Sequence, residues 1–363
     1  MPKAATAGSG HRRPSASPRP VTGSQFPRGR GSLPDSNEER SIARRIAAFV
    51  LAALAYLGAS IISPPWIAAR AQVAEGATKG GEAIEIGRSY VLRSKVLGDD
   101  RRIAVYLPAH YADPTRRFTV IYLLDGGAKE DFHHITGLAD ISAAYGLTRE
   151  FIVVGIEGKD RRHDLTGPSV DPGDLTQAPT SGGSAAYRRF IVEELKPWVD
   201  RQYRTDGHSA LMGESLAGLF VVETLLRSPT SFDDYIAVSP SLWWNRQALS
   251  RQAARDLKSA GYGGRRLWLS VGDEVTYHKE MREGIYRFMA ALRGAKVLGF
   301  IWKYSPMPSE THATIYHPAA MAALRYLYAL EQPGSSPVGA EAAPAGGAAR
   351  APGHLRPRRG QGR

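Results

Sequence analysis

The chain has 363 residues, 43% hydrophobic and 23% charged, enough apolar material for a core in one large domain or two small ones, which excludes disorder throughout. Its net charge of +12 sits at the ends: residues 1–45 hold nine Lys/Arg against three Asp/Glu and 331–363 five Arg against two Glu, leaving +3 for 46–330. Basicity confined to such Pro-, Gly- and Ser-rich flanks argues against nucleic-acid binding, and the absence of cysteine removes disulfides, thiolate metal sites and cysteine nucleophiles.

Residues 1–45 read as a disordered basic extension. "RSIARR" then precedes the uncharged run "IAAFVLAALAYLGASII" (46–62), and "SPPWIAARAQ" follows with small residues at Ala69 and Ala71. Basic, apolar and A-x-A segments in that order form a secretory signal over 46–71, cut after Ala71. The expected location is periplasmic or secreted; the alternative is inner-membrane anchoring through 46–62.

From 84 to 330 short β-branched runs alternate with helical patterns. "RRIAVYLP" (101–108), "FTVIYLLDG" (118–126), "FIVVGIEG" (151–158), "SALMG" (209–213), "DYIAVSP" (234–240), "RLWLSVGD" (266–273) and "GFIWKYS" (299–305) read as strands. Helical patterns occupy 185–203, 216–229, 279–294 and a last stretch beyond residue 317. Continuous apolar strands between amphipathic helices predict an α/β fold with a mostly parallel central sheet covered on both faces. No internal repeat or linker divides 84–330, so one domain is expected, followed by a disordered Pro/Gly/Ala/Arg-rich tail over 331–363. The Gly-, Pro-, Thr- and Asp-rich segment 159–185 reads as a loop, part of a lid that carries selectivity.

Within that sheet, "SALMGESLAGLFVVETLL" places Ser215 between a strand and a helix. A side chain at such a bend is held exposed at the top of the sheet, and Gly213 and Ala217 are small enough for strand and helix to approach. The first helical amides face the same space, which makes the Leu216 N–H a natural donor to an oxyanion. In isolation a serine after glycine more often caps a helix; the strand before it, the helix after it and a triad in chain order favour a nucleophile. In a Ser, acid, His order the base must follow residue 215. His312 lies on a loop between the last strand and the last helix and is favoured over His317, a helix-entry residue beside Pro318; His278 and His354 lie in a charged helix start and in the tail. The acid is expected at Asp273 or Glu274, after the strand "RLWLSVG", with Glu280 a weaker third. The second oxyanion donor is expected at the Gly127 amide. Trp243 and Trp244 are candidates for the substrate pocket or for packing under a loop. Arg161, Arg162 and Asp164 either touch an anionic substrate or pair with one another. No H-x-x-x-H or H-E-x-x-H spacing calls for a metal, and no cofactor is required.

"VIYLLDGGAKEDF", "RRFIVEELKPWVDRQYRTDGHSALMGESLAGLF", "AVSPSLWWN", "LWLSVGDE" and "SETHATIYHPAAMAALRYLY", in that order, resemble the esterase branch of the α/β-hydrolases that includes the enterobactin (ferric siderophore) esterases, S-formylglutathione hydrolase and the antigen 85 mycolyltransferases. The resemblance covers nearly all of 90–330, and "SPSLWW" with "DRRHDLT" places the chain nearest the siderophore esterases. It implies nucleophile Ser215, base His312 and oxyanion amides at Leu216 and Gly127. Glu274 matches the family's acid better than Asp273, although some members work with a Ser-His pair alone. The family's elbow usually reads G-x-S-x-G-G; here Ala217 fills the fifth position. The resemblance implies a serine esterase acting on a small-molecule ester, siderophore-type esters included. An acyltransferase of the same chemistry and a ligand-binding protein on a hydrolase scaffold are the alternatives.

Overall fold

The computed structural model describes residues 82–274 and 279–330. The segments read as basic extension, leader and tail, and with them His278 and His354, lie outside the described residues. Every element described below belongs to one compact unit that begins at Ile84.

Eight strands form one sheet in the order β1-β2-β4-β3-β5-β6-β7-β8. β1 (Arg88–Arg93) pairs antiparallel with β2 (Asp100–Tyr106), and β2 pairs antiparallel with β4 (Phe151–Ile156). β3 (Phe118–Leu124), β4, β5 (Thr205–Glu214), β6 (Asp234–Val238), β7 (Arg266–Val271) and β8 (Ile301–Pro306) run parallel. β3 and β4 are buried along their whole length, as their unbroken apolar sequences require of strands covered on both faces. Sequence reading missed β1: "RSYVLR" is a polar, half-exposed edge strand whose alternation carries little apolar signal.

One face of the sheet packs against α1 (Phe132–Ala144) and the last helix, α9 (Tyr316–Tyr328). The other packs against α4 (Ser184–Arg189), α5 (Lys196–Gln202), α6 (Leu216–Arg227), α7 (Trp244–Asp256) and α8 (Lys279–Ala295). The pattern 185–203 read as one helix contains a π-helical turn at Phe190–Leu195 between α4 and α5. Pro197 explains it: proline lacks the N–H of the regular ladder and its ring crowds the carbonyl four residues back, so the spacing widens just upstream. α8 is amphipathic, burying Met281, Ile285, Phe288, Met289 and Leu292 at three- and four-residue intervals. Segment 159–185 is more ordered than a loop, since it contains α2 (Arg161–Leu165) and α3 (Pro172–Gln177). Among the described residues no helix is long and apolar enough to cross a membrane.

The strand order reverses beside β3, and the carboxyl ends of β5 and β7 and the loop after β8 converge on one edge of the sheet. In open α/β sheets this is where ligands are met.

Candidate active site

Ser215 stands between the end of β5 and the first residue of α6, with φ 60° and ψ −117°. A positive φ at a non-glycine residue costs on the order of 1–3 kcal/mol and persists only where the surroundings enforce it. Here backbone bonds enforce it: the Ser215 amide donates to the Val238 carbonyl (3.0 Å), and the Ser215 carbonyl accepts from Leu219 (2.9 Å) and Ser241 (3.0 Å). A Cβ on Gly213 would lie 2.6 Å from the Ala217 Cβ, so the glycine is required where strand and helix meet. The serine caps nothing, because its side chain makes no bond to the helix amides.

The hydroxyl instead meets an imidazole. Ser215 Oγ lies 3.0 Å from His312 Nε2, and His312 Nδ1 lies 3.0 Å from Glu274 Oε2. Ser239 donates to the other oxygen of Glu274 at 2.5 Å. An ionised carboxylate only accepts, so Nδ1 carries a proton toward Glu274; a neutral imidazole then presents the Nε2 lone pair to Ser215. Glu274 is almost wholly buried (1% exposed), whereas Asp273 is exposed and turned outward by its amide bond to the Glu310 carbonyl (2.7 Å). The structure therefore brings Ser215, His312 and Glu274 together and leaves Asp273 outside. Glu280 is exposed in the first turn of α8, and His317 lies exposed against His134, ring centroids 4.6 Å apart.

A family model described as "Putative esterase" matches residues 94–314. The chain belongs to this esterase family. The ferri-bacillibactin esterase BesA of Bacillus subtilis (strain 168) is 28% identical over 232 residues, covering 59% of this chain and 80% of the relative. The siderophore enterobactin esterase of Emericella nidulans is 30% identical over 161 residues, covering 39% and 52%. The solved BES protein of Bacillus cereus superposes with a TM-score of 0.60 at 24% identity, covering 70% of this chain and 99% of that one, a likeness of fold. The protein is thus a carboxylic ester hydrolase with the α/β-hydrolase fold.

Two expected parts of the esterase's site differ. The Gly127 amide already donates to Glu130 Oε2 (2.8 Å), and the same carboxylate accepts from the Gly158 amide at 3.2 Å. The Glu130 amide in turn donates to the Gly127 carbonyl (2.9 Å), a reciprocal arrangement like the capping box, so in this arrangement Gly127 is not an available oxyanion donor. Leu216 is the first residue of α6, and its amide has no acceptor within the helix. Trp244 is buried, and its indole N–H donates to the Gly167 carbonyl between α2 and α3 (3.0 Å). Trp243, half-buried, packs against the core and edge-on to Trp244. Arg161, Arg162 and Asp164 do not pair with one another. Arg161 Nε binds Asp125 Oδ2 (2.8 Å), Arg162 donates to the Gln177 carbonyl, and Asp164 is buried against Arg101. Among the described residues no three potential ligands converge on a metal site.

Sequence reading passed over Ser239, Ser241 and Glu214. Ser241 Oγ lies 3.4 Å from Ser215 Oγ. Glu214, the residue before the serine, places Oε1 3.3 Å from His312 Nε2, the nitrogen that also meets Ser215. The contact is within ion-pair range but lacks hydrogen-bond geometry, since Oε1 is buried without a hydrogen-bond partner. Burial pushes the Glu214 carboxyl up to about 7; His312 and Arg161 pull it down, and Asp131 and Asp125 push it further up. For His312 burial works against the imidazolium, but the Glu274 bond and the charges of Glu214 and Glu274 prevail over it and Arg161, so its pKa lies above the ordinary value. The only prior signal for Glu214 was an acidic residue inside an otherwise small and apolar elbow.

Proposed function

We propose that the protein hydrolyses siderophore-type esters through a Ser215-His312-Glu274 triad and an acyl-enzyme. The observation that carries the reading is the unbroken chain from Ser215 Oγ through both imidazole nitrogens to Glu274, each link 3.0 Å. His312 Nε2 takes the hydroxyl proton as Oγ bonds to the ester carbon, and the carbonyl electron pair moves onto oxygen, beside the Leu216 amide. The imidazolium then protonates the leaving alkoxide as the carbon–oxygen bond breaks. Water, deprotonated by the same nitrogen, releases the acid and regenerates Ser215. The relatives named for ferri-bacillibactin and enterobactin esters support the substrate class.

The test compares wild type with Ser215→Ala on a catecholate triester and on short p-nitrophenyl esters, together with a fluorophosphonate probe. The wild type is expected to be labelled and to cleave the triester. Ser215→Ala should remain folded, resist labelling and lose about a millionfold in kcat. Undiminished turnover by that variant would remove the mechanism; turnover of p-nitrophenyl esters alone would remove the substrate class. Because His312 acts as a base only when neutral, and its pKa is raised, the rate should fall with acidification at a higher pH than an ordinary histidine would give.

A further inference from the structure

We infer that Glu214 is a positioning residue, a second carboxylate that holds the His312 imidazolium formed when Ser215 gives up its proton and so sets the acid limit of turnover. The inference rests on the Ser215-His312 reading above.

His312 lies between two carboxylates. Glu274 binds Nδ1 and fixes the tautomer, whereas Glu214 Oε1 stands 3.3 Å from Nε2 without bonding it well. Oε1 is buried with no hydrogen-bond partner, so its interaction with the ring is one of charge rather than of a directed bond. Once the proton of Ser215 arrives, the ring is cationic with Nε2 3.3 Å from that oxygen, and Glu214 supplies a countercharge as the transition state forms. Burying Oε1 without a hydrogen-bond partner costs the fold stability, so packing alone does not account for a glutamate here.

The surroundings tune this device. Arg161 faces both Glu214 and His312, lowering the first and opposing the imidazolium of the second; Asp125 and Asp131 face Glu214 and raise it; Glu274 faces His312 and raises it. Tyr316, buried in α9, also feels the charge of Glu214. Glu214 and His312 therefore titrate as a pair. The form competent for attack has lost the imidazole proton, since an imidazolium has no lone pair on Nε2. Ionised Glu214 thus favours the imidazolium at rest, which narrows activity toward acid, and favours it again in the transition state, which raises the plateau.

Glu214→Gln separates these effects while keeping shape. Rates on a p-nitrophenyl ester from pH 5 to 9, with NMR titration of the His312 ring assigned by a His312→Ala control, should show the imidazole pKa and the acid limb moving down together by about one unit. Plateau kcat should fall by up to about tenfold with KM unchanged, and Glu214→Asp should return part of both shifts. An imidazole pKa and acid limb shared by wild type and Glu214→Gln would overturn the inference. Turnover surviving in Ser215→Ala would instead sink the triad, and the ring titration would still decide whether Glu214 acts on the imidazole.

Discussion

Asp273 and Glu274 are chemically near-equivalent and adjacent, yet only one carboxylate reaches the imidazole. Successive residues at a strand end point to opposite sides, so the choice depends on which side the His312 loop occupies. That loop settles the matter through its backbone: the Glu310 carbonyl takes the Asp273 amide, and Glu274 is left buried between Ser239 and His312. Such a choice was not legible in the sequence, because it depends on contacts between residues 35 to 38 positions apart. Nor was the setting of Glu214, whose burial depends on packing by segments remote in the chain. Ser215 and His312, by contrast, were readable from strand, helix and chain order alone. Glu274→Ala should leave the fold intact and lower kcat by as much as about 10⁴, the scale seen when a triad loses the group that orients its base. Asp273→Ala should stay within twofold or so, as expected for an exposed side chain when Glu274 already holds Nδ1 of the base. Equal losses from the two substitutions, measured as kcat on the same ester, would return the acid assignment to an open question.

At the level of elements, the segment over 159–183 is pinned to the entry of α7. Trp244 donates to the Gly167 carbonyl, the Asn245 side chain to the Pro168 carbonyl (3.1 Å), the Asn245 amide to Asp174 (2.8 Å), and Arg246 to Asp171 (2.8 Å). Asn245 and Arg246 reach these partners in left-handed conformations, φ 49° and 54°, and Gln247 follows them at φ 62°. Sequence reading took 159–185 as a loop from its composition, although caps were in view: Asp160 accepts from the His163 amide, and Asp171, followed by Pro172 at the helix start, accepts from Gly173 and Asp174. Two helices of five and six residues are too short to show a period, so only their caps could have revealed them. Trp244→Phe keeps an aromatic ring and deletes the indole donor, leaving the half-buried Gly167 carbonyl without that bond. The variant should lose about 1–2 kcal/mol and expose bonds between 159 and 183 to limited proteolysis before the rest of the domain. Digestion indistinguishable from wild type would show that the other three bonds hold the segment unaided.

Across the whole molecule, the parallel sheet is legible because its central strands are unbroken apolar runs, while of the antiparallel edge only β2 reads as a strand and β1 does not. That edge is joined to the segment 159–183 by the buried pair of Arg101, on β2, and Asp164, on α2, whose side chains are 5% and 3% exposed. Arg101 keeps a second partner in Asp99 at 2.8 Å, and the guanidinium lies 5.6 Å from the centroid of the Tyr187 ring. Removing either member of a buried pair leaves the other charge uncompensated and costs about 3–5 kcal/mol. The two removals are not equivalent. Asp164→Ala leaves Arg101 its bond to Asp99 and should fall at about 3 kcal/mol, whereas Arg101→Ala strands Asp164 and empties the space beside Tyr187, so it should reach or exceed about 5 kcal/mol. For a domain of this size about 2–4 °C of Tm accompanies each kcal/mol, so thermal melts should separate wild type, Asp164→Ala and Arg101→Ala in that order by roughly 10 °C and then several degrees more. Arg101→Met with Asp164→Leu, which removes both charges at once, should recover most of the loss; a double variant no better than the worse single one would mean that the pair holds β2 and α2 together by geometry that apolar side chains do not reproduce.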